Sequence, residues 1–262
     1  MHSHQHKLAK ARQHLQSYDS KVKEWYGLHS GRPFSAFKHQ EEVICQGTRH
    51  VFSYDPVENF PSIECGLILG DFLHNLRSAL DHLIYELATK YTSSLSDKAA
   101  GQCEFPIFWE RPMDTGEENR RIGCIDPHAA NLIKGIQPQL LGSDYSQHPL
   151  WILNELERIN KHRTLHLVAQ YMVQNDLAGR NMAIVRFEGL VQGERLEKGA
   201  KVAEFVVTRI DPNQPMDVDY RPSTLMTFEP GLPLSGKPLF VHFNVILDEI
   251  MRIAITPLET FL

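Results

Sequence analysis

The sequence predicts an α+β protein, with a helical core of long antiparallel helices and a small antiparallel β-sheet in the C-terminal half. Three observations carry that expectation. Between Ile63 and Thr89, leucines at 69, 73, 76, 80, 83 and 87 recur at alternating spacings of four and three, which lines one stripe of a helix long enough to cross a domain. A second helical period runs through Trp151, Ile152, Leu156, Ile159, Leu165, Val168 and Met172. From Asn181 the pattern changes to AIVRFEGLV, VAEFVVTRI and STLMTFE, rich in β-branched and aromatic residues and broken by turn-forming runs.

Composition narrows the class further. The 262 residues are 42% hydrophobic and 23% charged, which suits a globular chain able to bury a core. No window approaches the roughly 18 consecutive apolar residues of a membrane span, and MHSHQHKLAKARQ contains no apolar signal core, so neither membrane association nor export is expected. Cysteines at 45, 65, 103 and 124 show no CxxC spacing and read as reduced thiols, which implies a cytoplasmic location. A net charge of -5 argues against a protein that coats nucleic acid through its phosphates.

Taken in order, Lys7 to Tyr26 is an amphipathic helix with Leu8, Ala11, Leu15, Tyr18, Val22 and Trp25 inward. His2, His4 and His6 before it could grip a transition metal adventitiously, but they read as a frayed terminus and are assigned no role. Residues 42–54 form a hairpin turning at Gln46 and Gly47, and this hairpin is a candidate to join the later sheet. Ser62 is placed to cap the central helix, with Glu64 favourable to its dipole. After Tyr91 a polar run ends that helix, CEFPIFW is a short extended segment, and Arg111 to Gly123 is polar and mobile. Asp126-Pro127 starts a short helix that ends at Gly135, and the residues after it form a loop. His148 and Pro149 open the second major helix, which is expected to run to Met172. KPLFVHF at 237–243 reads as a further strand, and Asn244 to Leu262 as a helix interrupted at Pro257. The expected organisation is a helical core over 1–172 and a sheet followed by a C-terminal helix over 181–262, packed as one unit.

The central helix carries an anomaly opposite its leucines. At about 100° per residue, Asp71, Asn75, Ser78, His82 and Tyr85 fall within roughly 80° of one another, with His74 and Asp81 beside them. A surface helix would place lysines and glutamates there, whereas this face holds no Lys and a single Glu, Glu86 at its edge, so it is expected to be partly covered. Two readings follow: a buried hydrogen-bond network that fixes helix packing, or a site. A metal site would draw on His162 and His166, four apart, with His82 or Asp71. HExxH and paired ExxH patterns are absent, as are a Gly-rich phosphate loop and a GxSxG elbow, so no metal and no cofactor is expected.

Arg77 and His82, inside NLRSALDHL, match the RX4-6H motif, and over Ile63 to Met172 the chain resembles the HEPN superfamily of helical proteins. The wider layout of GDFLHNLRSALDHL, FPI, IQP and LWILNELERINKHRTLHL also resembles a recurrent group of uncharacterised bacterial proteins. That group's second motif reads DKHR where this chain has Asn160-Lys161-His162-Arg163. The HEPN resemblance implies a metal-independent endoribonuclease of a toxin or phage-defence system. Its substrate would be RNA, His82 would act on the 2'-hydroxyl or leaving group, and Arg77 would stabilise the phosphate charge. Residues five apart on a straight helix point about 140° away from each other, so the resemblance also implies a homodimer or a bent helix. The supporting polar residues would be Asp71, His74, Asn75, Ser78, Asp81, His162, Arg163 and His166. The alternative is a non-catalytic binding or scaffold protein whose polar helix face is internal and whose sheet docks a partner.

Overall fold

The computed structural model describes residues 2–28, 37–55, 60–112, 114–172, 177–189, 195–220 and 223–262. The chain divides into two compact units. One comprises residues 1–19, 63–165 and 240–262, and the other residues 20–62 and 166–239.

The first unit is helical. Helix α1 (Ser3–Leu28) contributes its first turns, and α2 (Ser62–Tyr91) is the long central element. All six leucines of the α2 stripe are buried, and Phe72, Ala79, Ile84 and Ala88 widen the stripe into a broad apolar face. Three shorter helices follow: α3 (Asp97–Ala100), α4 (Thr115–Ile122) and α5 (Pro127–Gly135). The stretch expected to be mobile therefore contains α4, which begins with a capping box in which Asp114 accepts from the Glu117 N–H and Glu117 accepts from the Asp114 N–H. Asp126 caps α5 through the His128 N–H at 2.7 Å, as its sequence implied. Pro138–Gln147, expected as loop, forms 3-10 turns broken at Gly142.

Helix α6 (Pro149–Asn160) is half the expected length. It closes with the His162 and Arg163 N–H groups both bonding back to the Ile159 carbonyl at 3.0 Å. Leu167–Met172, expected as its last turns, is strand β3 of the second unit. Gly66 and Gly70 of α2 let this end of α6 approach closely. A Cβ at Gly66 would meet the Leu165 carbonyl oxygen, and one at Gly70 would meet the Asn160 side chain.

The C-terminal segment corrects a second boundary. KPLFVHF does not form a strand, because α7 (Leu239–Ile250) starts inside it. Leu239, Phe243, Ile246, Leu247 and Ile250 are all buried at helical spacing, so the period outweighed the strand propensity of Phe and Val. Pro257 does not break the helix outright. Residues Met251–Ile255 form a π-turn, with the Thr256 N–H bonding to the Met251 carbonyl, and α8 (Thr256–Glu259) continues from it. Widening the turn before a proline accommodates the missing N–H and the ring.

The second unit holds the strands. β1 (Phe37–Ile44) and β2 (Gly47–Tyr54) form the expected hairpin. Gly47 sits at φ +138° where a Cβ would strike the Val207 carbonyl. The hairpin joins β5 (Met182–Gly189) and β6 (Lys201–Arg209) in one antiparallel sheet of order β1-β2-β6-β5. Two ladders, β3 with β8 (Ser223–Phe228) and β4 (Leu177–Arg180) with β7 (Asp217–Tyr220), complete the unit. Phe52, Ala203, Phe205, Val207 and Tyr220 form one cluster, and Trp25, Tyr54, Leu196, Val202 and Met226 another. The α+β class holds, with the C-terminal strands recruiting the early hairpin.

Candidate functional site

The polar residues of α2 separate into three groups. Nearest its N-terminus, Asp71 and His74 are exposed, and Asn75 donates to the Asp71 carbonyl at 2.8 Å, a local back-bond within the helix. His74 lies 3.7 Å from Glu157 of α6, which also meets Lys161 at 2.8 Å. Ser78 is half-buried. The internal polar network that the binding or scaffold reading expects on this face does not form, since Asp71 is exposed, Asn75 bonds its backbone carbonyl and His82 bonds Ser3. Ser62 does not bond its own helix either. Its hydroxyl donates to the Leu167 carbonyl at 2.7 Å and accepts from the Leu167 N–H at 3.0 Å, a pairing within the second unit.

The second group centres on Arg77, which is only 8% exposed. Its guanidinium donates to Asp81 Oδ1 at 2.7 Å, to Glu104 Oε1 at 3.1 Å and to the Phe105 carbonyl at 2.8 Å. Asp81 Oδ1 also accepts from the Phe105 N–H at 2.9 Å, so Arg77 and Asp81 together bind both backbone groups of Phe105. This reflects how the sequence folds locally. Pro106 carries no N–H, and among the described residues Cys103 to Phe108 join no strand ladder, so side chains satisfy the backbone there. Glu104 extends the chain of charges to Arg121 at 2.7 Å. Burial lifts the Asp81 carboxyl above the usual range, while Arg77 and the Phe105 N–H pull it back.

The third group lies one turn further along α2. His82 Nδ1 is 3.0 Å from the Ser3 hydroxyl, which donates to Glu86 Oε1 at 2.7 Å. The same oxygen accepts from the Ser3 N–H at 2.6 Å and the His4 N–H at 3.2 Å, so Glu86 serves as the carboxylate cap of α1. Its other oxygen, Oε2, faces His4 Nδ1 at 2.7 Å and His2 Nδ1 at 3.1 Å. His4 Nε2 meets Glu259 Oε1 of α8, also at 2.7 Å. His4 is fully buried, which overturns its reading as part of a frayed terminus; His6 is exposed. Burial raises both Glu86 and Glu259, but the bonds from Ser3 and His4, and from His4 and Gln5, outweigh it and hold both below the usual glutamate range.

Arg77 and His82 are thus engaged with different partners, Arg77 with the Phe105 segment and His82 with Ser3. His162 and Arg163 lie exposed in the turn after α6, and His166 is exposed just before β3. The sequence spacing that put His162 and His166 on one helix face does not apply, because the helix has ended before either of them. Glu86, His4 and Glu259 are the residues that sequence reading missed. The lone glutamate on a face otherwise free of long charged side chains was the available signal.

No helix among the described residues is long and apolar enough to cross a membrane. In comparisons with family models, curated proteins and solved structures, nothing matches this chain.

Proposed function

We propose that this chain is a non-catalytic binding or scaffold protein built on a HEPN-like helical framework. The observation that carries this reading is the state of Arg77. Its fork is occupied by three acceptors of its own chain beneath the surface, so it is not available to a phosphate, and withdrawing it would leave Asp81 half-buried without its cation. The docking surface this reading assigns is edge strand β5, where Ile184, Val185 and Phe187 stand about half in solvent.

The HEPN-like endoribonuclease reading has one observation in its favour. His82 is half-buried rather than sealed, and Ser3 fixes one nitrogen of its ring. Catalysis would then need a second copy to supply the cation that Arg77 does not. One experiment separates the two readings, an RNA-cleavage assay on wild type, Arg77→Ala and His82→Ala with melting temperatures measured in parallel. The binding reading expects no cleavage by wild type and a lowered melting temperature for Arg77→Ala alone. Cleavage by wild type that both substitutions abolish at unchanged melting temperature overturns it.

A further inference from the structure

His2, His4 and Glu86 bring one ligand atom each to within 4.8 Å of one another, and the details of that cluster go beyond simple proximity. Glu86 Oε1 is committed to the Ser3 hydroxyl and two backbone N–H groups of α1, which leaves Oε2 as the single oxygen turned towards both imidazoles. His4 presents Nδ1 to that oxygen and Nε2 to Glu259. Two carboxylate oxygens thus face the two nitrogens of one buried imidazole, one from Glu86 and one from Glu259. Anionic oxygens converging on an imidazole are the donor environment a metal ion requires.

We propose that His2 Nδ1, His4 Nδ1 and Glu86 Oε2 bind one divalent transition-metal ion of borderline softness, zinc in the first instance. Two imidazoles and one carboxylate suit such an ion. The present separations of 2.7 and 3.1 Å open by a few tenths of an ångström to reach about 3.3 Å, the ligand spacing of a tetrahedron with bonds near 2.0 Å. On binding, any proton held between Glu86 Oε2 and the Nδ1 atoms of His4 and His2 is released to solvent, or for exposed His2 moves to its own Nε2, and the metal takes its place, while His4 donates its Nε2–H to Glu259. The carboxylate–histidine–metal arrangement that orients a ligating ring is thus already assembled. Three protein donors leave one tetrahedral position on the side of His2, whose ring is 53% exposed. A second cluster, His39, Glu41 and His50 of the β1–β2 hairpin, lacks this support, because among the described residues the buried His50 Nε2 has no hydrogen-bond partner.

The inference does not depend on the function proposed above. It is tested by titrating zinc chloride into the untagged full chain against a chromophoric chelator. Wild type is expected to bind one zinc per chain. Glu259→Gln, which replaces the charged acceptor of His4 Nε2 by a neutral one and removes no ligand, is expected to weaken binding about tenfold, His2→Ala at least as much, and His6→Ala not at all. Both His2→Ala and His6→Ala alter exposed side chains, and circular dichroism checks that every variant is folded. Absence of stoichiometric zinc in wild type, equal losses for His2→Ala and His6→Ala, or full affinity in Glu259→Gln overturns the proposal.

Discussion

Asp81 in the helical unit and Glu204 in the sheet unit each sit against an arginine, yet they shift in opposite directions. Burial is the main influence on Asp81 and raises it. Glu204 is held down to about 2 by hydrogen bonds from Arg49 and Lys201. The difference lies in the cations. Arg77 is itself buried and divides its donors among Asp81, Glu104 and a carbonyl. Glu204 receives Arg49 at 2.9 Å and Lys201 at 2.9 Å, and both cations keep much of their hydration, with side chains 39% and 52% exposed. A carboxylate is stabilised as an ion when its partners remain solvated and outnumber it. Where the cation is itself drawn out of water and shared among several acceptors, its attraction goes to offsetting desolvation.

The strongest way to break this contrast is at Arg77. Arg77→Ala leaves Asp81 and the Phe105 carbonyl without their donor and is expected to destabilise the fold by about 3 kcal/mol, read from the urea midpoint. A loss within about 0.5 kcal/mol would mean that Asp81 is adequately hydrated without its cation. Next in size is Glu204→Gln. A carboxyl lowered from 4.5 to about 2 contributes stability in full above pH 4.5, and that contribution disappears as the pH falls towards 2. The substitution is therefore expected to cost about 1.5 kcal/mol near neutral pH and almost nothing at the acid end of the window. Melting curves for the two proteins that stay parallel across the range would contradict the assignment. Asp81→Asn should have the smallest effect, below about 1 kcal/mol, but the opposite slope. A carboxyl raised above 3.8 costs the wild type stability as the pH climbs past that value, and the asparagine variant is spared this decline. Denaturation midpoints at pH 3.5 and 7 should show wild type losing ground to the variant; a gain would put Asp81 in the same class as Glu204.

Features set by neighbouring residues were readable from the sequence. The leucine stripe of α2, the Asp126-Pro127 start of α5 and the β1–β2 hairpin each depend on a short period or a tight turn. The Asp114–Glu117 capping box was equally local and could have replaced the expectation of a mobile stretch. The end of α6 had no such signal, since Asn160 to Arg163 contains neither glycine nor proline and Leu165, Val168 and Met172 happen to continue the helical period. The candidate site was less legible because its partners are remote. Arg77 is occupied by residues 27 and 28 positions downstream, and His4 is buried by carboxylates 82 and 255 positions away. A motif six residues long can locate an arginine but does not show what else in the chain binds it.

The π-turn at Met251–Ile255 acts as a phase element. Its wider turn holds roughly one residue more than an α-helical turn, so everything after it is rotated by about 100° relative to an unbroken helix. Glu259 reaches His4 from that offset. The bearing of this carboxylate is therefore encoded in a residue count rather than in the chemistry of Met251, Arg252 or Ile253. Along this segment the chain is constrained in length more tightly than in identity.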